Sequence, residues 1–527
     1  MNEQDAYGTP PSPPKGLRRR DILGSMAGTA AVMALPLSFA RQVEAQNDHD
    51  ESPATIHAAA KLIRSGKISV TELITARLRC AREFEPILNT FITLTEAQAL
   101  ATARALDDEL RHGVYRGPLH GIPVVYKDNI DTASILTTRG SQFYRSRVAT
   151  DDAEVVRKLR AAGAVMLGKA NMNEVAAGVA GLNQFYGNAS NPWDLGRWPG
   201  GSSSGSGVSV SAGLSLAGLG TDTGVSVRGP ASWLGLVGVR PSYGRVSVRG
   251  TLPRAYSLDT VGPLTHTVED AATMLNAIAG YDPQDPFAVP APMEDFTDGL
   301  KRGVKGLRLG IVEDFTFRNI DPEVAQAVQH AIHVFEDLGA EIYTVRIPLL
   351  SGKIDFRYPL TILLYEFNQI LGNTYRQAVA DGNKNLFGPV VQANIAQGEQ
   401  ISQATYEAAT NLRPSEIAEI REVFRSVDAF LTPTHAFVAP LASVNAEGNA
   451  GVRQFTVPIS YTGFPAISIP CGFSPSTGMP IGLQIVANDF REGLLFRIAA
   501  AFEKSTKYYK QHPPLYCGGH DDDDESD

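Results

Sequence analysis

Two serines, Ser202 and Ser226, stand in a stretch whose composition suits chemistry better than it suits solvent: "WPGGSSSGSGVSVSAGLSLAGLGTDTGVSVRGPAS", Trp198 to Ser232. A flexible linker is uniformly polar. This stretch carries Val208, Val210, Leu214, Leu216 and Leu219 among its small residues. The pattern predicts a buried helix over Gly205–Ala212 and a buried strand over Ser215–Gly220. Ser202 then lies just before a helix N-terminus, where unpaired N–H groups gather. Ser226 lies in the turn after the strand, beside Thr223, Gly224 and Val225, whose N–H groups could converge on an anion. A hydroxyl that attacks an amide carbonyl needs a base and an oxyanion hole. Lys127 closes the apolar run "PVVYK", and His120 and His435 are the alternative bases. A lysine has a free pKa of about 10.4, so it serves as a base only where burial lowers that value. Once protonated, it can return the proton to a leaving amine.

The pieces "GGSSSG" and "GTDTGVSVR" resemble the signature of the amidase signature family of serine hydrolases. Three further segments resemble the family in the same order: "GPLHGIPVVYKDNID", "VDAFLTPTHAFVAP" and "GFPAISIPCGFSPSTGMPIGLQIVA". The resemblance implies a catalytic trio of Lys127 as base, Ser202 as proton relay after a cis Gly201–Ser202 bond, and Ser226 as nucleophile. It implies an oxyanion hole from the N–H groups of Thr223, Gly224, Val225 and Ser226, with Asp222 and Arg228 steadying the turn. Val225 is the main departure, because the family usually has a glycine there. A β-branched residue resists φ > 0, so the turn is expected to have φ < 0 at Val225. "GKANMNE" (Gly168 to Glu174) resembles a family segment near the cleft, or is a strand-to-helix turn capped by Asn171. His120 and His435 are read as structural.

The elements that must hold these residues are legible as periodic patterns. "TIHAAAKLIRSGKISVTELITARLRCARE" is helical, with Ser69 or Thr71 as a cap. "EAQALATARALDDELRHG" is an amphipathic helix. "DAEVVRKLRAAGAVMLGKANM" passes from helix through a Gly163 turn to strand, and "DPEVAQAVQHAIHVFEDLGAEIYTVRIP" repeats the rhythm. Alternating strands and helices predict one α/β domain over residues 50–512, a mixed central sheet with helices on both faces. Ser351–Arg413 is mainly helical, and its aromatics raise an aryl or bulky acyl group as substrate.

The first 45 residues carry Arg18–Arg20, an uncharged apolar stretch over Ile22–Ala40 and a small-x-small site ending at Ala45. This is the pattern of a twin-arginine export signal, with an uncleaved anchor as the rival. The mature protein is expected to be periplasmic or secreted. The net charge of -9 owes much to "DDDDESD", and residues 513–527 read as an acidic disordered tail. No basic stripe points to nucleic acid. Cys80, Cys471 and Cys517 read as isolated thiols with no catalytic part. Neither HExxH nor a Cys/His cluster is present, so no metal and no cofactor are expected. The expected partners are a small-molecule amide and, as an option, a second copy in a homodimer, with no stable membrane association after signal removal. The rivals to an amidase are an esterase or carbamate hydrolase, a transamidation subunit for charged transfer RNA, and a catalytically weak binding protein on the same fold.

Overall fold

The computed structural model describes residues 53–351 and 357–518. Eleven strands among them form one mixed sheet. They are β1 (Phe91–Leu94), β2 (Pro123–Lys127), β3 (Val165–Ala170), β4 (Ala217–Asp222), β5 (Val237–Arg240), β6 (Thr260–Thr265), β7 (Arg308–Val312), β8 (Glu341–Val345), β9 (Ala429–Pro433), β10 (Ala466–Phe473) and β11 (Pro480–Ala487). The spatial order is β1-β3-β2-β4-β6-β5-β10-β11-β9-β7-β8. β2 runs parallel to β3 and β4, and β7 runs parallel to β8 and β9. The remaining pairs are antiparallel. Every residue of β2, β4, β5, β6, β9 and β11 is buried. Side chains alternate between the two faces of a strand, so both faces of this sheet are covered. The expected α/β domain is the one observed, and the described residues lie in one compact unit.

Local chemistry explains the first helices. Thr55 caps Ile56–Arg64 through its side chain. Ser69 caps Val70–Leu88 in a reciprocal box with Glu72. The Gly/Ser stretch forms a helix at Ser204–Ser211 with all eight residues buried. Its hydroxyls are satisfied by neighbours: Ser206 Oγ donates to Leu219 O at 2.9 Å and Ser211 Oγ to Leu234 O at 2.8 Å. Gly205 is obligatory for contact, because a Cβ there would lie 2.4 Å from both Asn171 N and Thr90 O. Small residues thus let this helix sit against β4 and the loop after β3 at backbone distance.

Two expectations are corrected. Residues 513–518 do not belong to a disordered tail. Leu515, Tyr516 and Cys517 are buried, and Cys517 N donates to Ala212 O at 2.9 Å. Nor are the cysteines all isolated. Cys80 and Cys517 form a disulfide across 437 residues, with their Cα atoms 6.1 Å apart, and only Cys471 is free. The buried Arg77 guanidinium holds this seam by donating to the carbonyls of Gly213, Cys517 and Pro53. The expected export segment and the acidic run beyond 518 lie outside the described residues.

Candidate active site

Lys127 is the last residue of β2 and is fully buried. Parallel pairing with β4 brings its ammonium level with the end of that strand. Lys127 Nζ lies 2.7 Å from Ser202 Oγ and 2.9 Å from Thr221 Oγ1. Burial drives the lysine pKa down to about 7, against the opposing pull of Asp259 and Asp222. No carboxylate pairs with it among the described residues, so two hydroxyls are the near contacts of a nitrogen that titrates near neutrality. Thr221 is a contact that sequence reasoning missed. Its position on β4, one residue before Asp222, is the only signal that could have pointed to it.

Ser202 follows a cis Gly201–Ser202 peptide and immediately precedes the small-residue helix. The loop around it is anchored from both sides. Gly201 N donates to Val179 O at 2.7 Å, and Asn173 N donates to Ser202 O at 3.3 Å. The "GKANMNE" segment therefore supports the serine loop. The alternative reading of that segment, Asn171 as a helix cap, is corrected. Only a 3₁₀ turn, Glu174–Ala176, follows β3, and the Asn171 amide instead donates to the carbonyls of Asn89 and Gly187 at 3.0 Å each. Val175 and Ala176 in that turn hold φ of 43° and 60°. Such backbone is costly for a β-branched residue and persists only where its surroundings enforce it.

Ser226 sits in the turn between β4 and the helix Arg228–Leu234. Asp222 organises the turn. Its carboxylate takes both prongs of Arg228 at 3.0 Å and accepts the N–H groups of Val227 and Arg228 at 3.2 and 3.4 Å. Burial works to raise this carboxyl, but Arg228 and Arg240 outweigh it and hold the pKa at about 2. Arg228 is tied in turn to Gln484 on β11 and to Ser460, both at 2.6 Å. The N–H groups of Thr223, Gly224, Val225 and Ser226 donate to no protein acceptor among the described residues, and all four residues line one cavity of about 390 Å³. Val225 does not have positive φ. Its side chain packs against Trp198, Trp233 and Val179, away from the turn's N–H groups.

The histidines are elsewhere. His120 Nε2 lies 3.1 Å from Leu106 O. His435 Nδ1 lies 3.0 Å from Val452 O, its ring stacks on Trp233, and burial pushes its pKa down to about 4. Neither contacts Lys127, Ser202 or Ser226. The arrangement is therefore a hydroxyl beside a cavity, unpaired N–H groups next to it, and a buried lysine bonded to a second hydroxyl.

A family model described as Amidase matches residues 72–496 of this chain. The chain belongs to the amidase signature family. Among curated relatives of this amidase, a glutamyl-tRNA(Gln) amidotransferase subunit of Cyanothece sp. is 37% identical, over 88% of this chain and 100% of its own. A solved peptide amidase from Stenotrophomonas maltophilia is 30% identical with a TM-score of 0.77, covering 89% of this chain and 99% of that one. A 6-aminohexanoate cyclic dimer hydrolase is 28% identical with a TM-score of 0.79, covering 88% and 98%. The amidase's cavity is walled by Leu360, Leu363 and Leu364 from the helix Arg357–Ala380. The aromatics of that region that raised an aryl substrate, Phe367 and Phe387, are spent on a buried cluster with Val175 and Leu371.

Proposed function

We propose that this amidase hydrolyses a carboxylic amide through an acyl-enzyme on Ser226. Neutral Lys127 takes the proton of Ser202, and Ser202 takes that of Ser226 as its oxygen attacks the carbonyl. The N–H groups of residues 223–226 stabilise the oxyanion. Protonated Lys127 returns the proton through Ser202 to the departing amine, and water then cleaves the ester by the same relay. The observation that carries the reading is the 2.7 Å contact of a fully buried lysine with Ser202 Oγ. Ser226→Ala removes one oxygen and leaves the Asp222–Arg228 turn intact. It should abolish turnover with an unchanged melting temperature, and a fluorophosphonate probe should label wild type but not the variant. Labelling that persists in the variant would move the nucleophile elsewhere.

A second reading has one observation in its favour, the match along the full length of a glutamyl-tRNA(Gln) amidotransferase subunit. In it, the same chemistry acts on the side-chain amide of glutamine, and ammonia passes to a partner. Glutamine outpacing every other amide in an assay of the isolated chain would favour it. Export of the mature chain is also part of our proposal. The Cys80–Cys517 disulfide supports it, since such bonds persist in oxidising compartments.

A further inference from the structure

The cavity beside Ser226 is apolar along Leu258, Leu360 and Leu364, yet Arg254 also lines it. Arg254 is 6% exposed. Its guanidinium carbon lies 3.7 Å from the centroid of Phe367, and one prong donates to Asn394 Oδ1. The other terminal nitrogen, Nη1, is buried and has no hydrogen-bond partner among the described residues. A buried charged N–H left unpaired is costly, and native interiors rarely keep one. The other charges lining the cavity are Glu447 and Arg453. Glu447 is already engaged: it accepts the N–H groups of Val179 and Ala180 at 2.9 and 3.0 Å and faces Arg453 at 3.7 Å. Asp259, behind Arg254, is held by Thr223 Oγ1 and by the Arg254 backbone N–H. The cavity wall thus carries two guanidiniums against one committed carboxylate.

We infer that the preferred substrate carries a carboxylate separated from the scissile amide by an apolar segment, and that Arg254 Nη1 binds this carboxylate. The inference rests on the amide-hydrolase reading above. The leucines bury the apolar segment. The fork of Arg254 supplies a charge-assisted hydrogen bond, which a neutral chain end cannot match. A substrate ammonium would meet two cations and no free acid.

The test uses length-matched probes: adipamate, hexanamide, 6-aminohexanamide and N-hexanoylglycine. Wild type should favour adipamate or N-hexanoylglycine over hexanamide by roughly ten- to a hundredfold in kcat/KM, chiefly through KM, with 6-aminohexanamide poorest. Which of the two carboxylates wins tells whether the anion lies on the acyl or the amine side. Arg254→Met keeps the side-chain volume, and Asn394→Asp places a carboxylate on the guanidinium. Each should erase most of the preference. Turnover of hexanamide equal to that of both carboxylate probes, or a preference untouched by both variants, overturns the inference and means that water alone serves Nη1. Fluorophosphonate labelling separates the two failures. Labelled enzyme without a carboxylate preference sinks this inference alone, whereas unlabelled, inert enzyme sinks the amidase reading and this inference with it.

Discussion

Lys127 and Lys169 lie on the neighbouring strands β2 and β3, and both are fully buried. Lys169 faces Asp128 at 3.6 Å and donates to Thr137 Oγ1 at 2.9 Å. Lys127 meets only hydroxyls and the Thr221 carbonyl. That difference makes Lys127 the base. The fall of kcat/KM on the acid side should follow its deprotonation, with an apparent pKa of about 7. Lys127→Ala should lose roughly a hundred- to ten-thousandfold in rate, while His435→Ala, where folded, keeps the wild-type pH profile. A profile that moves with His435 instead would transfer the base role to it. Stability follows the same proton. The unfolded lysine keeps its proton to about 10.4, the folded one only to about 7. Between these values the unfolded chain binds more protons, so stability rises with pH there. Below about pH 7 the full penalty of burying the ammonium is present. Lys127→Met should therefore be more stable than wild type at neutral pH, and the gap should shrink towards pH 10 in thermal melts. Val225 replaces a residue that usually has no side chain, yet it strains nothing, because its φ is not positive and the Trp198–Trp233 cluster receives it.

The small-residue helix Ser204–Ser211 shows how a whole element can be read from composition. Glycine and serine interrupted by valine have no use in a linker, and the buried helix lies within one residue of its expected span. The strand "PVVYK" was equally legible, because five residues that are buried on both faces leave an unbroken apolar run before the lysine. Thr221 was not legible, since a threonine in a strand gives no sign of where its hydroxyl points. Arg254 was hidden for a related reason: the loop "GTLPRAYSLD" places it, and only the packing of the Arg357–Ala380 helix makes its surroundings dry. The helix also allows a test of close approach. Gly205→Ala would press a methyl into the backbone atoms Asn171 N and Thr90 O, neither of which can rotate away. Overpacking of this kind costs about 1–3 kcal/mol. The variant should melt lower and lose activity as Ser202 is displaced. A melting temperature equal to wild type would show that the loop after β3 yields easily.

At the scale of the whole molecule, the Cys80–Cys517 bond ties the second described helix to the last described turn. Sequence reading missed it because 437 residues separate the partners, and spacing carries no signal at that distance. Peptide mapping of protein collected outside the cytoplasm should find the two cysteines in one cross-linked peptide and a mature N-terminus near Gln46. Cys517→Ser should cost about 2–4 kcal/mol of stability. An intact first methionine in a membrane fraction would favour the anchor instead. The strand order carries a further consequence, for synthesis. β7, β8 and β9 reach the rest of the sheet only through β11 and β10, which come last among the strands. A ribosome that has not yet released residues 466–487 can hold the lysine strand and both serines, but it holds two unjoined half-sheets. Arg228 then lacks Gln484 and the nucleophile turn has no backing. A nascent chain is thus inert until its final hairpin emerges, and a prematurely terminated one stays so.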